Sequence, residues 1–500
     1  MSRAYVLAID QGTTSTRAIL FDAEGRAYAT AQVPLTQIYP APGQVEHDPE
    51  EIWQSVLHVC REALSGVGGE SVAAIGITNQ RETTIVWERA TGKPLANAIV
   101  WQDRRTAGLC AELVREGWGA HVTETTGLVI DPYFSVTKLA WLLANVPGLD
   151  ARARAGEVCF GTVDSFLLFK LTGGRLHATD ATNAARTELY DIRSGQWDER
   201  LLHRLAVPRA MLPEVKDSQS DYGLTQTEHF GSAIPIRGIA GDQQAAAYGQ
   251  ACFRPGMLKA TYGTGCFVLA NTGDEKIASA TRMLSTIFHQ IGGKRAYALE
   301  GAIFMAGATV QWLRDSLGLI ATAAESEALA ERADPNSGIY LVPAFQGLGA
   351  PFWDANAKAA ILGLTRAASK TDVVAAGLEA VAFQTRDLLT AMGRDMAVSR
   401  IPAPSNLRVD GGMTANAWLM QRLADILGQR VEVAQNPETT ALGAAYHAGQ
   451  AVGFFGDSEE LAKAWSPARI FEPKMSETER EARYGGWLEA VARVKSNGAV

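Results

Sequence analysis

Short apolar runs and tight polar turns alternate through the first forty residues. Residues 4–9 are a continuous apolar run with Val6, Leu7 and Ile9, and residues 11–15 are a turn of glycine and hydroxyls. A second apolar run covers 16–21, a second turn 23–26, and a third run 27–38. Runs of this length between turn residues predict a three-stranded antiparallel meander. A helix start follows: Asp48 as N-cap, Pro49 at the first helical position, and Glu51 three residues after the cap to complete a capping box. Ile52, Val56, Val59 and Cys60 then recur at helical spacing. Strands are predicted at 71–78, 83–87 and 98–101, and helices at 135–143 and 162–171. The pattern is α/β, with an antiparallel start that a simple doubly wound sheet lacks.

The second half begins in the same style. A strand at 257–262, a Gly-Thr-Gly turn at 263–265 and a strand at 266–271 repeat the unit around residue 12. Helical patterns follow at 305–317, 372–389 and 416–427. Matched halves of about this size predict two structurally related domains. Arg254-Pro255-Gly256 breaks the pattern, so the boundary is placed between a domain of residues 1–253 and one of residues 254–500. A charged helical tail at 476–495 is predicted to pack on the surface.

Composition narrows the class. Of 500 residues, 47 % are hydrophobic and 20 % charged, which excludes a disordered or collagen-like chain despite 48 glycines. The formal charge of −8 argues against a nucleic-acid-binding protein, which carries a basic stripe. Five cysteines (Cys60, Cys110, Cys159, Cys252 and Cys266) form no Cys-x-x-Cys and read as buried, reduced thiols of a cytoplasmic protein. Asp10 interrupts the first apolar run, so no targeting leader is expected. The longest uncharged stretch, 439–456, contains four glycines, His447 and Gln450. It predicts a helix inside the protein, not a membrane span, and no stable membrane association.

Five constellations bear chemistry. The first is Asp10-Gln11-Gly12-Thr13-Thr14-Ser15-Thr16-Arg17, whose amides and hydroxyls suit phosphate oxygens, with Arg17 adding charge and Asp10 placed to hold Mg²⁺. It reads equally as a plain hydroxyl-rich hairpin. Thr261-Tyr262-Gly263-Thr264-Gly265 is a second such turn, informative only if it faces the first across a cleft. Asp410-Gly411-Gly412, ahead of a helix beginning near Asn416, suits either a nucleotide or a tight strand–helix turn. Gly241-Asp242-Gln243-Gln244 offers a carboxylate fit for a general base, or an ordinary N-capping aspartate. Asn79-Gln80-Arg81-Glu82 offers donors and acceptors for a polyol, or a solvated ion pair at a strand end. Trp101 and Tyr133 suit an apolar wall or plain core packing. No P-loop, dinucleotide fingerprint, His-Glu-x-x-His or Gly-x-Ser-x-Gly is present.

In this order the motifs resemble the FGGY carbohydrate kinases, on the actin/Hsp70-like ATPase fold. The resemblance covers nearly the whole chain, through 9–17, 79–83, 100–105, 131–141, 239–245, 262–267, 299–314, 343–364 and 408–416. Within that family, Asn-Gln-Arg-Glu-Thr at 79–83 with Val-Trp-Gln-Asp-Arg-Arg at 100–105 is similar to the members that phosphorylate glycerol. The resemblance implies two actin/ribonuclease H-like domains flanking an active-site cleft. It implies ATP and Mg²⁺ as cofactors, sn-glycerol 3-phosphate as product and the first step of glycerol catabolism as the role. Arg81, Glu82, Tyr133, Asp242 and Gln243 would hold the glycerol hydroxyls, and Trp101 and Phe267 its carbon edge. Thr13, Thr14, Ser15, Arg17 and Thr264 would meet the phosphates, Gly307 and Gln311 would lie by the nucleotide, and Gly412 and Asn416 by its adenosine end. Asp242 would be the base and Asp10 the metal-side carboxylate.

A homodimer or homotetramer is also implied. Enteric members bind fructose 1,6-bisphosphate through a Gly-x-Arg loop. Here the matching residues are Gly231-Ser232-Ala233, which implies weak or absent inhibition by that ligand. His229 in the same loop reads as an exposed histidine and not as a phosphorylation site. Two alternatives stay open: a kinase of a longer sugar, and a nucleotide-switching actin- or Hsp70-like protein.

Overall fold

The computed structural model describes residues 4–354, 356–403 and 405–496; the first three residues of the leader reading lie outside them. The meander forms as predicted. Strand β1 (Tyr5–Gln11) pairs antiparallel with β2 (Ser15–Phe21), and β2 with β3 (Ala27–Pro34). The third strand stops at Pro34, four residues early, where the ladder loses an N–H. Helix α1 (Pro49–Leu64) begins at Asp48, whose carboxylate accepts from the Glu50 N–H. The expected capping box does not form, because Glu51 accepts instead from the Thr36 N–H at 3.0 Å and ties the helix to the end of the meander. Strand β4 (Val72–Asn79), buried throughout, runs parallel to β1, and β5 (Ile236–Gly241) runs parallel to β4. The sheet order is β5-β4-β1-β2-β3, and helix α2 (Asp242–Gly249) follows β5 directly.

The second half repeats this plan. Strands β6 (Leu258–Tyr262), β7 (Cys266–Gly273), β8 (Leu284–Ile291) and β9 (Lys294–Ile303) lead to helix α3 (Gly307–Asp315) and the long helix α4 (Lys370–Val398). Then come β10 (Asn406–Asp410), α5 (Ala417–Leu427), β11 (Arg430–Ala434), α6 (Thr439–Gln450), β12 (Pro467–Phe471) and α7 (Glu477–Val494). The sheet order is β8-β9-β7-β6-β10-β11-β12. Its central strands β9-β7-β6-β10-β11 have the order and directions of β3-β2-β1-β4-β5, with β8 and β12 added at the edges. Helix α6 after β11 therefore corresponds to α2 after β5.

These two helices join the halves. Helix α6 packs on α2 and on strands β4, β5 and β1 of the first sheet, although the second half encodes it. Glycines make the approach possible. A Cβ on Gly443 would overlap the Ala245 carbonyl, one on Gly249 the Thr439 carbonyl, and one on Gly76 the Ala444 carbonyl. The uncharged stretch is thus an interior helix, as expected, but it ends at Gln450. Between β4 and β5 lies an inserted lobe whose core (Val86, Leu139, Phe160 and Leu189) also takes in Ile287 and Tyr297 of the second sheet.

One helix departs from expectation in its length. Helix α4 runs 29 residues, well past 389, because Asp395 in its last turns accepts from the Ser279 and Thr281 hydroxyls and the Ala280 N–H. The charged tail helix α7 lies on the surface, as expected, and one face anchors it through Trp487, Ala490 and Val491. Trp487 is fully buried, stacks on Phe383 at 5.3 Å and donates to Asp387 at 2.8 Å.

Gly443→Ala is expected to cost about 1–3 kcal/mol by forcing α2 and α6 apart. Gly66→Ala, at a site with open space, is expected to stay within about 0.5 kcal/mol of wild type. Urea unfolding of the two variants checks the difference.

Candidate active site

Where β4 ends, the chain turns sharply through Gln80, Arg81 and Glu82. Glu82 is left-handed at φ 61°, a conformation unfavourable for a side chain of this size. It is held there on both ends: its carbonyl accepts from the Ser135 hydroxyl at 2.9 Å, and its carboxylate accepts from Arg186 Nε at 2.6 Å. Arg81 is 2 % exposed, so it is no solvated strand-end residue. Its Nε lies 3.1 Å from Asp242 Oδ1 and 3.8 Å from Glu82, its Nη1 3.2 Å from Gln244 Oε1, and its Nη2 3.5 Å from the Tyr133 hydroxyl. Its two Nη groups also meet Glu300 of β9, at 2.5 and 3.1 Å. Gly241 makes room for this, since a Cβ there would stand 2.7 Å from Arg81 Cδ.

One aromatic wall borders the group. Trp101 meets Tyr133 edge-on at 5.6 Å and Phe267 of β7 edge-on at 6.1 Å. Asp242 is the first residue of α2, partly open to solvent, and accepts from the Gln243 N–H at 2.7 Å. The Gln243 side-chain carbonyl accepts from Lys259 Nζ, which also donates to Thr261 Oγ1 at 2.8 Å. Lys259 is fully buried in β6, and burial lowers its pKa against the pull of Asp410 and Asp242. The structure therefore brings Arg81, Glu82, Tyr133, Asp242, Gln243, Trp101 and Phe267 together at one end of the two sheets.

The first hairpin lies beside them. Asp10 pairs with Arg17 across β1 and β2, and the Gly12 N–H donates to the Ser15 carbonyl at 2.9 Å to close the turn. Thr13, Thr14 and Ser15 lie at least partly exposed on it, and Thr13 Oγ1 accepts from Trp101 Nε1 at 2.9 Å. Arg17 pairs with Glu438 of the segment leading into α6, so the hairpin already touches the second half. The Asp10 carboxyl is pushed up to about 7, chiefly by burial; Arg17 opposes this, and the charges of Asp242 and Glu438 add to it.

On the other side, the hairpin at 263–265 and the start of α3 form one unit. The Gly307 N–H donates to the Gly263 carbonyl at 3.0 Å, and the Ala308 N–H to the Thr264 carbonyl at 3.0 Å. Gly307 is required here, since a Cβ would stand 2.6 Å from the Gly263 carbonyl. Thr264 and, one turn into α3, Gln311 are exposed. Gly411 has φ 91° and backs onto Tyr262, whereas Gly412 faces open space.

The phosphate-attracting helix start expected after these glycines is not available. A short 3₁₀ turn (Gly412–Ala415) intervenes, Asn416 caps α5 by accepting from the Leu419 N–H, and Glu327 accepts from the Ala417 and Trp418 N–H groups. With its first N–H groups satisfied, that helix has nothing left to offer an anion. Asn416 also donates to Ser326, so its amide is committed within the protein.

Arg186, Glu300 and Lys259 were not singled out by the motifs. Lys259 carries a local signal as the one charge in the short strand β6, whereas Glu300 shares β9 with Lys294 and Arg295 and no local pattern marks it. His229 is also corrected. It sits half-buried on a short helix (Thr227–Phe230), edge-on to Trp53 at 5.1 Å, with burial lowering its pKa. All five cysteines are buried, and burial pushes the Cys110, Cys159 and Cys252 thiols up to about 12, 11 and 11. Among the described residues no helix is long and apolar enough to cross a membrane.

Two related α/β domains enclose this group of buried charges, and comparison with known proteins shows which family uses them. Residues 5–249 match the N-terminal domain of the FGGY family of carbohydrate kinases, and residues 258–452 its C-terminal domain; the chain belongs to this family. It is 57 % identical to the glycerol kinase of Ectopseudomonas mendocina over 99 % of each chain, and 56 % identical to glycerol kinase 1 of Pseudomonas aeruginosa over 98 % of this chain and 99 % of the other. The crystal structure of Plasmodium falciparum glycerol kinase with ADP superimposes with a TM-score of 0.93 at 37 % identity, covering 99 % of both chains. A xylulose kinase from Lactobacillus acidophilus, at 23 % identity and a TM-score of 0.87, shares the fold.

The raised Asp10 carboxyl has a stability signature. An acid whose pKa is higher folded than unfolded loses stability as pH rises from 3.8 to about 7, and loses no more above that. Asp10→Asn abolishes this slope. In chelator-treated protein, the melting temperature of the variant is therefore expected to pull ahead of wild type across that window and hold a constant lead above it.

Proposed function

We propose that this kinase transfers the γ-phosphoryl group of ATP to a terminal hydroxyl of glycerol, giving sn-glycerol 3-phosphate and ADP, as the first step of glycerol catabolism. The observation that carries the reading is the buried Arg81–Glu82 pair, with the partly exposed Asp242 3.1 Å from Arg81, bordered by the Trp101–Tyr133–Phe267 wall. A three-carbon polyol needs donors and acceptors for adjacent hydroxyls and an apolar surface for its carbon edge. Arg81 and the Tyr133 hydroxyl donate, Glu82 and Asp242 accept, the Gln243 amide adds a further group, and the aromatics cover the carbons. The high identity to glycerol kinases favours this acceptor over a longer sugar.

The chain's own residues support an in-line transfer. Asp242 takes the proton of the attacking hydroxyl as the oxygen–phosphorus bond forms and the bond to the ADP oxygen breaks. The hairpin amides with Thr13, Thr14, Ser15 and Arg17 face the β- and γ-phosphates from one side, and Thr264 from the other. Gly307 and Gln311 border the nucleotide, while Gly412 and Asn416 flank its adenosine end. Among the described residues no three ligating side chains cluster, which suits Mg²⁺ held by one carboxylate and substrate phosphates. Asp10, which accepts no hydrogen bond from a described side chain, would be that carboxylate, and Mg²⁺ would neutralise charge on the transferring group. The division into domains 1–253 and 254–500 follows the two sheets, with α6 crossing back onto the first. The buried thiols support a cytoplasmic setting, and the homodimer or homotetramer rests on family resemblance.

Purified protein is expected to release ADP from ATP only when glycerol is added; equal release with xylulose or gluconate would defeat the reading. Asp242→Asn is expected to lower kcat by about 10²–10⁴-fold while still binding glycerol in calorimetry. Arg81→Ala is expected to raise the glycerol KM far more than the ATP KM, measured by coupled ADP release.

A further inference from the structure

We infer that Glu300, with Arg186, is a positioning residue of the second domain that fixes the acceptor-recognising pair Arg81–Glu82 of the first; this rests on the glycerol reading above. Glu300 is 1 % exposed, and among the described residues the hydrogen-bonding partners of its carboxylate are guanidinium N–H groups from the first half of the chain. Arg81 donates to both of its oxygens, in the two-pronged geometry that fixes a guanidinium plane as well as its place. Arg186 donates to Glu300 Oε1 at 2.8 Å and, through Nε, to Glu82 Oε1 at 2.6 Å. Both members of the recognition pair are thus tied to one carboxylate, Arg81 directly and Glu82 through Arg186.

That carboxylate is on a rigid support. Glu300 lies in β9, paired with Leu284 on one side and Leu269 on the other, so it moves only with the whole second sheet. The charges are also apportioned. Arg81 and Arg186 offset Glu82 and Glu300, and Arg81 Nε also lies 3.1 Å from the partly exposed Asp242, so three carboxylates share two guanidinium groups. Burial works against the Glu300 charge, and Arg186 and Arg81 outweigh it, keeping the carboxyl below its usual range. Without the Glu300 charge, Arg81 retains only Glu82 and Asp242 as carboxylate neighbours. It then loses its fixed plane toward the acceptor. Correct seating of the two domains becomes a condition for recognising glycerol, before any phosphate is engaged.

Steady-state kinetics on Glu300→Gln and Glu300→Asp test this. Wild type must first show glycerol-dependent ADP release; its absence defeats the glycerol reading itself. Given that activity, Glu300→Gln is expected to raise the glycerol KM at least tenfold with the ATP KM within twofold. Glu300→Asp, which keeps the charge on a shorter arm, is expected to fall between. If Glu300→Gln does not fold, Glu300→Asp is judged by the same split. Unchanged glycerol KM, equal rises for both substrates, or loss of folding in both variants overturns the inference, because the residue would then serve the core and not the site.

Discussion

The close packing of helices α2 and α6 is the constraint on which the rest of the structure depends. Each helix follows the fifth strand of its own repeat, and the two meet with backbones so near that Gly443 and Gly249 have no room for a Cβ. Gly76 and Gly238 extend the same closeness to the sheet beneath, where a Cβ on Gly238 would stand 2.5 Å from the Ala448 nitrogen. Side chains finish the joint. Tyr248 donates to Gln450 at 2.6 Å, and Gln250 to Asp410 at 2.6 Å. Because α2 begins at Asp242 and the segment before α6 carries Glu438, the same contact sets Asp242, the first hairpin and the second domain relative to one another.

Close packing of this kind permits rotation better than separation. The helix backbones touch over small residues, which offer little to interlock. The candidate groups divide accordingly: the first hairpin, Arg81, Glu82 and Asp242 belong to the first half, and Phe267, the hairpin at 263–265 and the Gly411-Gly412 turn to the second. Arg17–Glu438, Arg81–Glu300, Arg186–Glu300 and Lys259–Gln243 are polar links between the two halves around this group.

The buried charge group is costly to assemble. Desolvating several ions outweighs or cancels much of their attraction, so such a cluster contributes little net stability, while removal of one member leaves its partner uncompensated at a cost of about 3–5 kcal/mol. Its effect is on orientation. A guanidinium held on both edges, and a glutamate held in a left-handed turn by Arg186 and Ser135, are donors and acceptors fixed in place.

Much of this protein was legible in its sequence. The meander, the repeated strand–turn–strand units and most helices follow from local pattern, since apolar periodicity and capping residues are local properties; Arg81, Glu82 and Asp242 stood in motifs open to plain structural readings, and Phe267 entered only through the family resemblance. Tertiary structure decided what depends on residues distant in sequence. It paired Glu51 with Thr36 and not with its own helix cap, committed Asn416 and Glu327 to the start of α5, and drew Trp487 of a charged tail into the core. It also carried α6 back onto the first sheet, and it placed Glu300 against Arg81, 219 residues away. Periodicity assigns a residue to a face or a turn. Which buried charge meets which is fixed only when two sheets close on one another, because a carboxylate in a strand is tolerable only where a partner from the other side arrives to satisfy it.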